Sequence, residues 1–394
     1  MLLQTGQLLS SAGSSLTTIA YPLLTRAVTH SAAQTGLVTF VRLAPFGLFS
    51  LVAGLAADRW SRKVLMICSD AVRVVAIGVL AGLLLNDDAV FWAILVVAFV
   101  EGVGTTFFVA AEPGVLRAVV PRLQLPAAAG AREARRSVVR LGGPPLGGAL
   151  FGLSRALPFV VDAASYAFST LSLLAMRTPF EEERSRDETP LRTRLAEGFR
   201  FMWHQPFLRT TAFVYGIGNF VASAMLLLIV VIGRRQGLSA GEVGVLSAAV
   251  GVGTLIGSLA SPLFRRALSI RTILLLELWT WIGCWSFVIW PRTYVLAAAV
   301  TLFGVAAPVT DSVVIGHRLA VTPDRLVGRV ESVRTTISLL VGAIGPLLAG
   351  LVLAATSART TVAVFAAVGL CLALWGTLSP SIRAAPSLGD LEPG

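Results

Sequence analysis

The chain has 394 residues, of which only 13% are charged and 55% hydrophobic, with a mean hydropathy of +0.80. A soluble domain carries about 25% charged residues, so this composition excludes an ordinary water-facing surface and makes a lipid bilayer the fitting solvent. The net charge of +11 does not indicate nucleic acid, because the basic residues lie between apolar runs rather than along one face; they read as topology anchors.

A membrane-crossing helix needs about 20 mostly apolar residues. Twelve such segments are predicted, at about 2–25, 33–57, 64–85, 89–112, 131–153, 157–177, 210–232, 243–264, 272–290, 293–317, 335–356 and 360–378. The first, "MLLQTGQLLSSAGSSLTTIAYPLL", has no charged leader and reads as a span rather than a cleaved signal. The connections are short except for residues 178–209, a polar linker that divides six spans from six. The expected domains are therefore an N-terminal six-helix bundle (1–177), this linker, a C-terminal bundle (210–378) and a flexible cytoplasmic tail (379–394). Within the linker, Leu191, Leu195, Phe199 and Met202 follow helical spacing while Arg192, Arg194 and Arg200 lie off that stripe. This predicts a short amphipathic helix on the cytoplasmic face. Cys68, Cys284 and Cys371 stand alone in apolar runs, with no metal or disulfide spacing.

Arginine and lysine set the orientation. With the N-terminus inside, the inside segments hold 23 of the 32 basic residues and the outside loops six, which fixes both termini in the cytoplasm. The two halves also echo each other. "GPPLGG" (143–148) recurs as "GPLLAG" (345–350) at an offset of 202, and Pro121 recurs as Pro323 at the same offset. "GSLASPLFRR" (257–266) is a faded copy of the stretch that begins at Gly54. Duplicated bundles of this kind belong to transporters that rock one half against the other.

Between spans two and three stands "GLAADRWSRK" (54–63). It resembles the loop signature G-x-x-x-D-R-x-G-R-K of the major facilitator superfamily through Gly54, Asp58, Arg59, Arg62 and Lys63, with Ser61 in place of the usual glycine. "LGGPPLGG" in span five is similar to the motif of the family's antiporters and carries Gly142, Gly143, Pro144, Gly147 and Gly148. "EGFRFMWHQPFLR" and "PFVVDAASYAFSTLSLL" are similar to bacterial exporters of the enterobactin and macrolide efflux branch. The resemblance implies an all-α fold of twelve transmembrane helices in two pseudo-symmetric six-helix bundles. It also implies that the 54–63 loop is a conformational latch, with Asp58 accepting hydrogen bonds from the N-terminus of span eleven. Physically, Gly54 allows close helix approach, a helix N-terminus favours an anion, and Arg62 can hold the Asp58 carboxylate. Ser261 in the second half makes the latch one-sided. The alternative reading of this loop is a topology anchor alone. For span five, small-residue faces and proline bends suit a pliable contact.

An ionisable group at mid-bilayer costs at least about 2.5–3.5 kcal/mol. Arg42 lies in span two, Glu101 in span four, Arg140 in span five and Asp311 in span ten. Asp70, Arg73, Glu112, Glu277 and His317 are placed nearer the cytoplasmic ends. Glu101 is expected to face Arg42 or Arg140. A carboxylate stays ionised beside arginine and takes up a proton when desolvated without it. Glu101 and Asp311, with Arg42 and Arg140 as partners, are therefore the proton-coupling candidates; a permanent buried ion pair is the alternative for Glu101, and a contact with His317 or Arg318 the alternative for Asp311. Phe107, Phe108, Tyr215, Phe220, Trp279 and Trp281 are candidate cavity walls, with plain packing or lipid contact the other reading.

The chain shows no HExxH, GxSxG or P-loop, so neither an enzyme nor a direct ATP-driven pump is expected. The expected function is a secondary transporter in the bacterial plasma (inner) membrane. It exports a hydrophobic or amphiphilic small molecule of drug, antibiotic or siderophore type by proton antiport. The alternative is an importer or uniporter of a small metabolite; Asn219 as the one asparagine inside a proposed span disfavours sugar. No cofactor, metal or nucleic-acid partner is expected; the energy source is the proton gradient, the partners are substrate and membrane lipid, and the chain is expected to be a monomer.

Overall fold

The computed structural model describes residues 2–119, 125–176 and 191–384. Among them every regular element is helical: α1 (Leu2–Thr29), α2 (Ala32–Arg59), α3 (Arg62–Leu85), α4 (Phe91–Val119), α5 (Leu125–Leu153), α6 (Leu157–Ala175), α7 (Leu191–His204), α8 (Pro206–Arg235), α9 (Ala240–Ala267), α10 (Ile270–Trp279), α11 (Ser286–Ile289), α12 (Thr293–Val321), α13 (Asp324–Ala355), α14 (Ala358–Leu378) and α15 (Pro380–Arg383). A 3₁₀ stretch, Thr280–Trp285, joins α10 to α11 and makes one span of the three pieces. Ten of these spans are long and apolar enough to cross a membrane. With α1 and α5, equally long but richer in polar residues, the count is twelve.

Several helices outrun the apolar segments that reveal them. α13 starts at Asp324 rather than near 335, and α12 continues to Val321 rather than ending near 317. Apolar length marks the part of a helix that lies in hydrocarbon, whereas caps and prolines set where it ends. Ser31, Ser269 and Ser357 each accept the backbone N–H three residues on, at the starts of α2, α10 and α14. Pro323 immediately precedes α13.

The chain divides into two compact units. Unit 1 is Met1–Glu188 with Gly237–Ala248, and unit 2 is Thr189–Gln236 with Ala249–Gly394. The division departs from the sequence boundaries in two places: α7 belongs to unit 2, and the first turns of α9 belong to unit 1. In unit 1, α1 lies against α5 and α6, α2 against α4, and α3 against α4 and α6. In unit 2, α8 lies against α13 and α14, and α10 against α12 and α14.

Glycines set the tightest crossings, and the two halves repeat them. On α5, a Cβ at Gly143 would fall 1.8 Å from Ser15 Oγ, and one at Gly147 would fall 2.5 Å from the Leu16 carbonyl. On α13, a Cβ at Gly345 would fall 2.2 Å from the Phe220 carbonyl and 2.5 Å from Ser223 Oγ. The hydroxyls that face these glycines are matched too: Ser15 donates to the Val139 carbonyl at 2.9 Å and Ser223 to the Gly342 carbonyl at 2.6 Å. Each repeated Gly-Pro motif thus seats the fifth span of its half on the first, as close backbone approach in lipid requires.

The linker helix α7 is a packed element. Met202 enters the core of unit 2 with Phe207, Val330 and Ile382. Gly198 sits under the Arg329 backbone, where a Cβ would come 2.7 Å from its carbonyl oxygen, and Arg329 pairs with Glu197. Phe199, another member of the predicted stripe, is exposed and stacks on Trp203. The apolar stripe is therefore split between core and outer surface.

Candidate functional site

Unit 1 contains a buried network of charged and hydroxyl groups drawn from five helices. Its centre is Arg42 on α2 and Glu101 on α4. The guanidinium grips the carboxylate in a fork, Nε to Oε2 at 2.6 Å and Nη2 to Oε1 at 3.1 Å, with side-chain exposures of 14% and 2%. Local sequence makes this possible: the residue after Glu101 is Gly102, where a Cβ would lie 2.4 Å from the Arg42 carbonyl oxygen, so α2 and α4 meet backbone to backbone there. α1 lines the other side. Arg42 reaches the Ser14 carbonyl and the Thr17 hydroxyl, both at 3.4 Å, and its Cζ lies 5.1 Å from the Tyr21 ring centre. Of the two partners open to Glu101 in the sequence, Arg42 is the one in place; the side chain of Arg140 is exposed.

A second pair follows on α3. Asp70 and Arg73, one turn apart, bond to each other and are both buried. Ser169 on α6 donates to Asp70 Oδ2 at 2.6 Å. Arg73 runs beside Gly104, where a Cβ would lie 2.8 Å from its Cγ, and its Cζ sits 4.6 Å from the Phe108 ring centre and 4.2 Å from that of Tyr166. Such placement offsets part of the cost of desolvating a guanidinium. The Tyr166 hydroxyl joins the pairs, lying 2.7 Å from Ser14 Oγ and 3.4 Å from Glu101 Oε1. The last member is Asp162 on α6, fully buried, with Thr17 Oγ1 2.9 Å from its Oδ2 and Ser165 Oγ 3.4 Å from its Oδ1.

Unit 2 holds a cavity of about 280 Å³. Its walls mix carboxylates (Glu277, Asp311), a guanidinium (Arg334), amide and hydroxyl groups (Asn219, Ser338) and apolar surface (Val214, Phe303, Leu339). Arg334 lies 5.4 Å from the Tyr215 ring centre and bonds Glu331 at 2.7 Å; Glu331 also takes Arg318 at 2.7 Å. Asn219 donates to Ser338 at 2.6 Å. Asp311 thus belongs to the cavity, while Arg318 is engaged by Glu331 and His317 lies edge-on to Phe207, ring centres 4.6 Å apart. Of the aromatic candidates, Tyr215 lines the cavity. Phe108 lies under Arg73, Trp281 stacks on Phe303 at 4.3 Å and fills the notch left by Gly369, Phe220 pairs with Phe365, and the Trp279 indole donates to Thr377.

The loop Gly54–Lys63 spans the end of α2 and the start of α3. Asp58 and Arg59 are exposed, and Arg62 and Lys63 half-buried. Lys63 donates to the carbonyl of Met176, the C-cap of α6, so it neutralises a helix end inside unit 1. Among the described residues, a Cβ at Gly54 would meet nothing within 4 Å. The same holds for Gly142 in the span-five motif, whereas Gly143 and Gly147 are filled by α1. Gly148 faces the start of α9, where a Cβ would lie 2.3 Å from the Ala240 carbonyl oxygen, and Pro144 faces Gly244. Ser261, which stands where the first half has Asp58, bonds Ser312 at 2.8 Å.

Sequence reasoning passed over Asp162, Tyr166 and Glu331. Asp162, Ser165, Tyr166 and Ser169 fall three, four and seven positions apart on an otherwise apolar helix, and that polar stripe was the available signal. Glu331 lay just outside the apolar run and read as loop. Asp70, Arg73, Glu112, Glu277 and His317, read as lying toward the cytoplasmic ends of their spans, are all buried.

Comparison with known proteins agrees with this architecture. The profile of the Major Facilitator Superfamily matches residues 4–278. The multidrug efflux pump Tap of Mycolicibacterium fortuitum is 28% identical over 410 residues, covering 98% of this chain and 95% of that protein. An enterobactin exporter EntS of Escherichia coli is 30% identical over 344 residues, covering 84% and 80%. Among solved structures, a bacterial homolog of the human lysosomal transporter Spinster superposes with a TM-score of 0.73 at 18% identity over 97% of this chain and 96% of that one. The nucleoside transporter NupG superposes with a TM-score of 0.74 at 13% identity over 98% and 100%; at these identities the likeness concerns the fold. With twelve spans, a repeated Gly-Pro crossing and buried charge in both halves, this chain belongs to the Major Facilitator Superfamily and is a multi-pass membrane transporter, not an enzyme.

Proposed function

We propose that this transporter exports an amphiphilic small molecule across the bacterial inner membrane in exchange for protons, by alternating access. Both termini lie in the cytoplasm, the working unit is a monomer without a bound cofactor, and the proton gradient supplies the energy. The observation that carries the reading is the cavity of unit 2. Its apolar and aromatic wall (Val214, Tyr215, Phe303, Leu339) suits a hydrophobic body, and Glu277, Asp311, Asn219 and Arg334 offer a few fixed polar groups to orient a polar end. The names of the two relatives, a multidrug efflux pump and an exporter, support the outward direction.

In this reading Asp311 is the residue for which substrate and proton compete, and Glu101 with Arg42 is the charge pair whose environment changes as the carrier alternates. The α2–α3 loop through Asp58 and Arg62 is the part that makes and breaks contacts during the cycle. The experiment is flux of candidate drugs and siderophores in everted vesicles, with and without a proton gradient. Asp311→Asn is expected to lose gradient-driven flux while keeping exchange down a substrate gradient. Driven flux at the wild-type rate in that variant removes Asp311 from coupling, and flux indifferent to the gradient in the wild type removes antiport itself.

A further inference from the structure

The unit 1 network is unbalanced. Among the described residues it holds three carboxylates, Asp70, Glu101 and Asp162, against two guanidiniums, Arg42 and Arg73. Arg73 is engaged by Asp70 and Arg42 by Glu101 in a fork, so each cation has its anion and Asp162 is left over. The groups facing Asp162 from its neighbours are Thr17 and Tyr21 on α1, Glu101 on α4, Arg42 on α2, Arg73 on α3 and, one turn along α6, Tyr166. None supplies a further positive charge.

Hydrogen bonding points the same way. A hydroxyl has one hydrogen to donate. Thr17 Oγ1 lies 3.0 Å from the Ser14 carbonyl, and Ser165 Oγ lies 2.7 Å from the Asp162 carbonyl, its shorter contact. Thr17, 2.9 Å from Asp162 Oδ2 and 3.0 Å from the Ser14 carbonyl, has one hydrogen for two acceptors, and Ser165 spends its own on backbone, so an ionised, fully buried Asp162 is poorly supplied with donors. A protonated one completes the chain: its O–H donates to Thr17 Oγ1, Thr17 donates to Ser14, and Arg42 also donates to Thr17 at 3.4 Å. The site is also covered on one side. Gly13 of α1 lies over it so closely that a Cβ there would come 2.5 Å from Asp162 Oδ1 and 2.2 Å from Ser165 Oγ, which closes that side of the carboxyl group.

We infer that Asp162, and not Glu101, is the carboxyl group of unit 1 that holds a proton in this state of the transporter. A proton neutralises the surplus charge and needs no room beside Gly13. The further step, that this proton is the one exchanged for substrate, rests on the antiport reading above; occupancy of Asp162 by a proton does not.

The test is infrared spectroscopy of the purified full-length protein at neutral pH, which reads the C=O stretch of a protonated carboxyl group and its shift in D₂O. The wild type should show one such band from unit 1, and Asp162→Asn should lose it. The charge count predicts that Glu101→Gln loses it as well, because two carboxylates then match two guanidiniums. Assignment comes from the hydrogen-bond partners, which leave both acids in place. Thr17→Val, which removes the Asp162 partner, should shift the band, and Tyr166→Phe, which removes a Glu101 partner, should not. A band retained in Asp162→Asn overturns the inference, as does one moved by Tyr166→Phe and unmoved by Thr17→Val. Transport indifferent to a proton gradient in a wild type that shows the Thr17-sensitive band would sink the antiport reading and leave the proton on Asp162.

Discussion

Arg42 and Glu101 show what a buried pair does and does not contribute. Two ions taken from water into protein cost several kcal/mol each, and a good fork with extra hydrogen bonds repays much of that. Removing one partner strands the other. Arg42→Ala is therefore expected to destabilise the protein by about 3–5 kcal/mol, read as a loss of thermal stability of the detergent-purified chain. Arg42→Met combined with Glu101→Leu should recover most of the loss, because no charge is then left unpaired. A double variant as unstable as the single one would mean that the pair holds α2 to α4 by itself. At this scale the sequence was readable for residue type and silent on geometry. It marked Arg42 and Glu101 as charges too deep to be incidental, but the choice between Arg42 and Arg140 depended on Gly102, which lets α2 and α4 touch. Asp162 went unmarked because its signal was a stripe of small polar residues on α6, Asp162, Ser165, Tyr166 and Ser169, and not a second charge to pair with.

Among the helices, the span-five motif separates into residues with different tasks. Gly143 is filled by Ser15 at the α1 crossing, whereas Gly142 beside it has open space. Gly143→Ala should cost about 1–3 kcal/mol through overpacking. Gly142→Ala should be neutral or gain about 0.5–1 kcal/mol from helix propensity, with thermal stability measured for both. Equal effects would mean that the motif acts through backbone flexibility and not through contact. The repeat makes the same demand of Gly345, which the Phe220 carbonyl and Ser223 fill on the other half; Gly345→Ala should behave like Gly143→Ala. The offset of 202 between the two motifs was visible in the sequence. What it meant, that each half sets its fifth span on its first, needed coordinates, because a Gly-Pro string records that something approaches closely and not what. The linker helix carries the same lesson: the stripe of Leu191, Leu195, Phe199 and Met202 announced a helix, and coordinates were needed to show that Glu197, Gly198 and Met202 tie it to α13 and the core of unit 2.

For the molecule as a whole, composition names the solvent and the arginine bias predicts the direction. Twelve crossings follow from ten plainly apolar spans plus α1 and α5, whose polar residues build the network and the α5 crossing and so dilute their hydropathy. If the basic residues act as anchors, the turns after α1, α3, α5, α8, α11 and α13 lie outside and those after α2, α9 and α12 lie inside with the linker. Alkaline phosphatase fused at residues 30, 87, 155, 237, 291 or 357 should be active, and at 60, 205, 269 or 323 inactive, with green fluorescent protein fusions giving the reverse. The fusion at 155 tests the least apolar crossing, α5, directly. If α5 failed to cross, every site from 155 onward would switch sides together. The first Gly-Pro motif would then lie outside any crossing, and two parallel six-helix repeats could not be built from this chain. Alternation that persists through 155 and on to 357 is what the duplicated bundle requires.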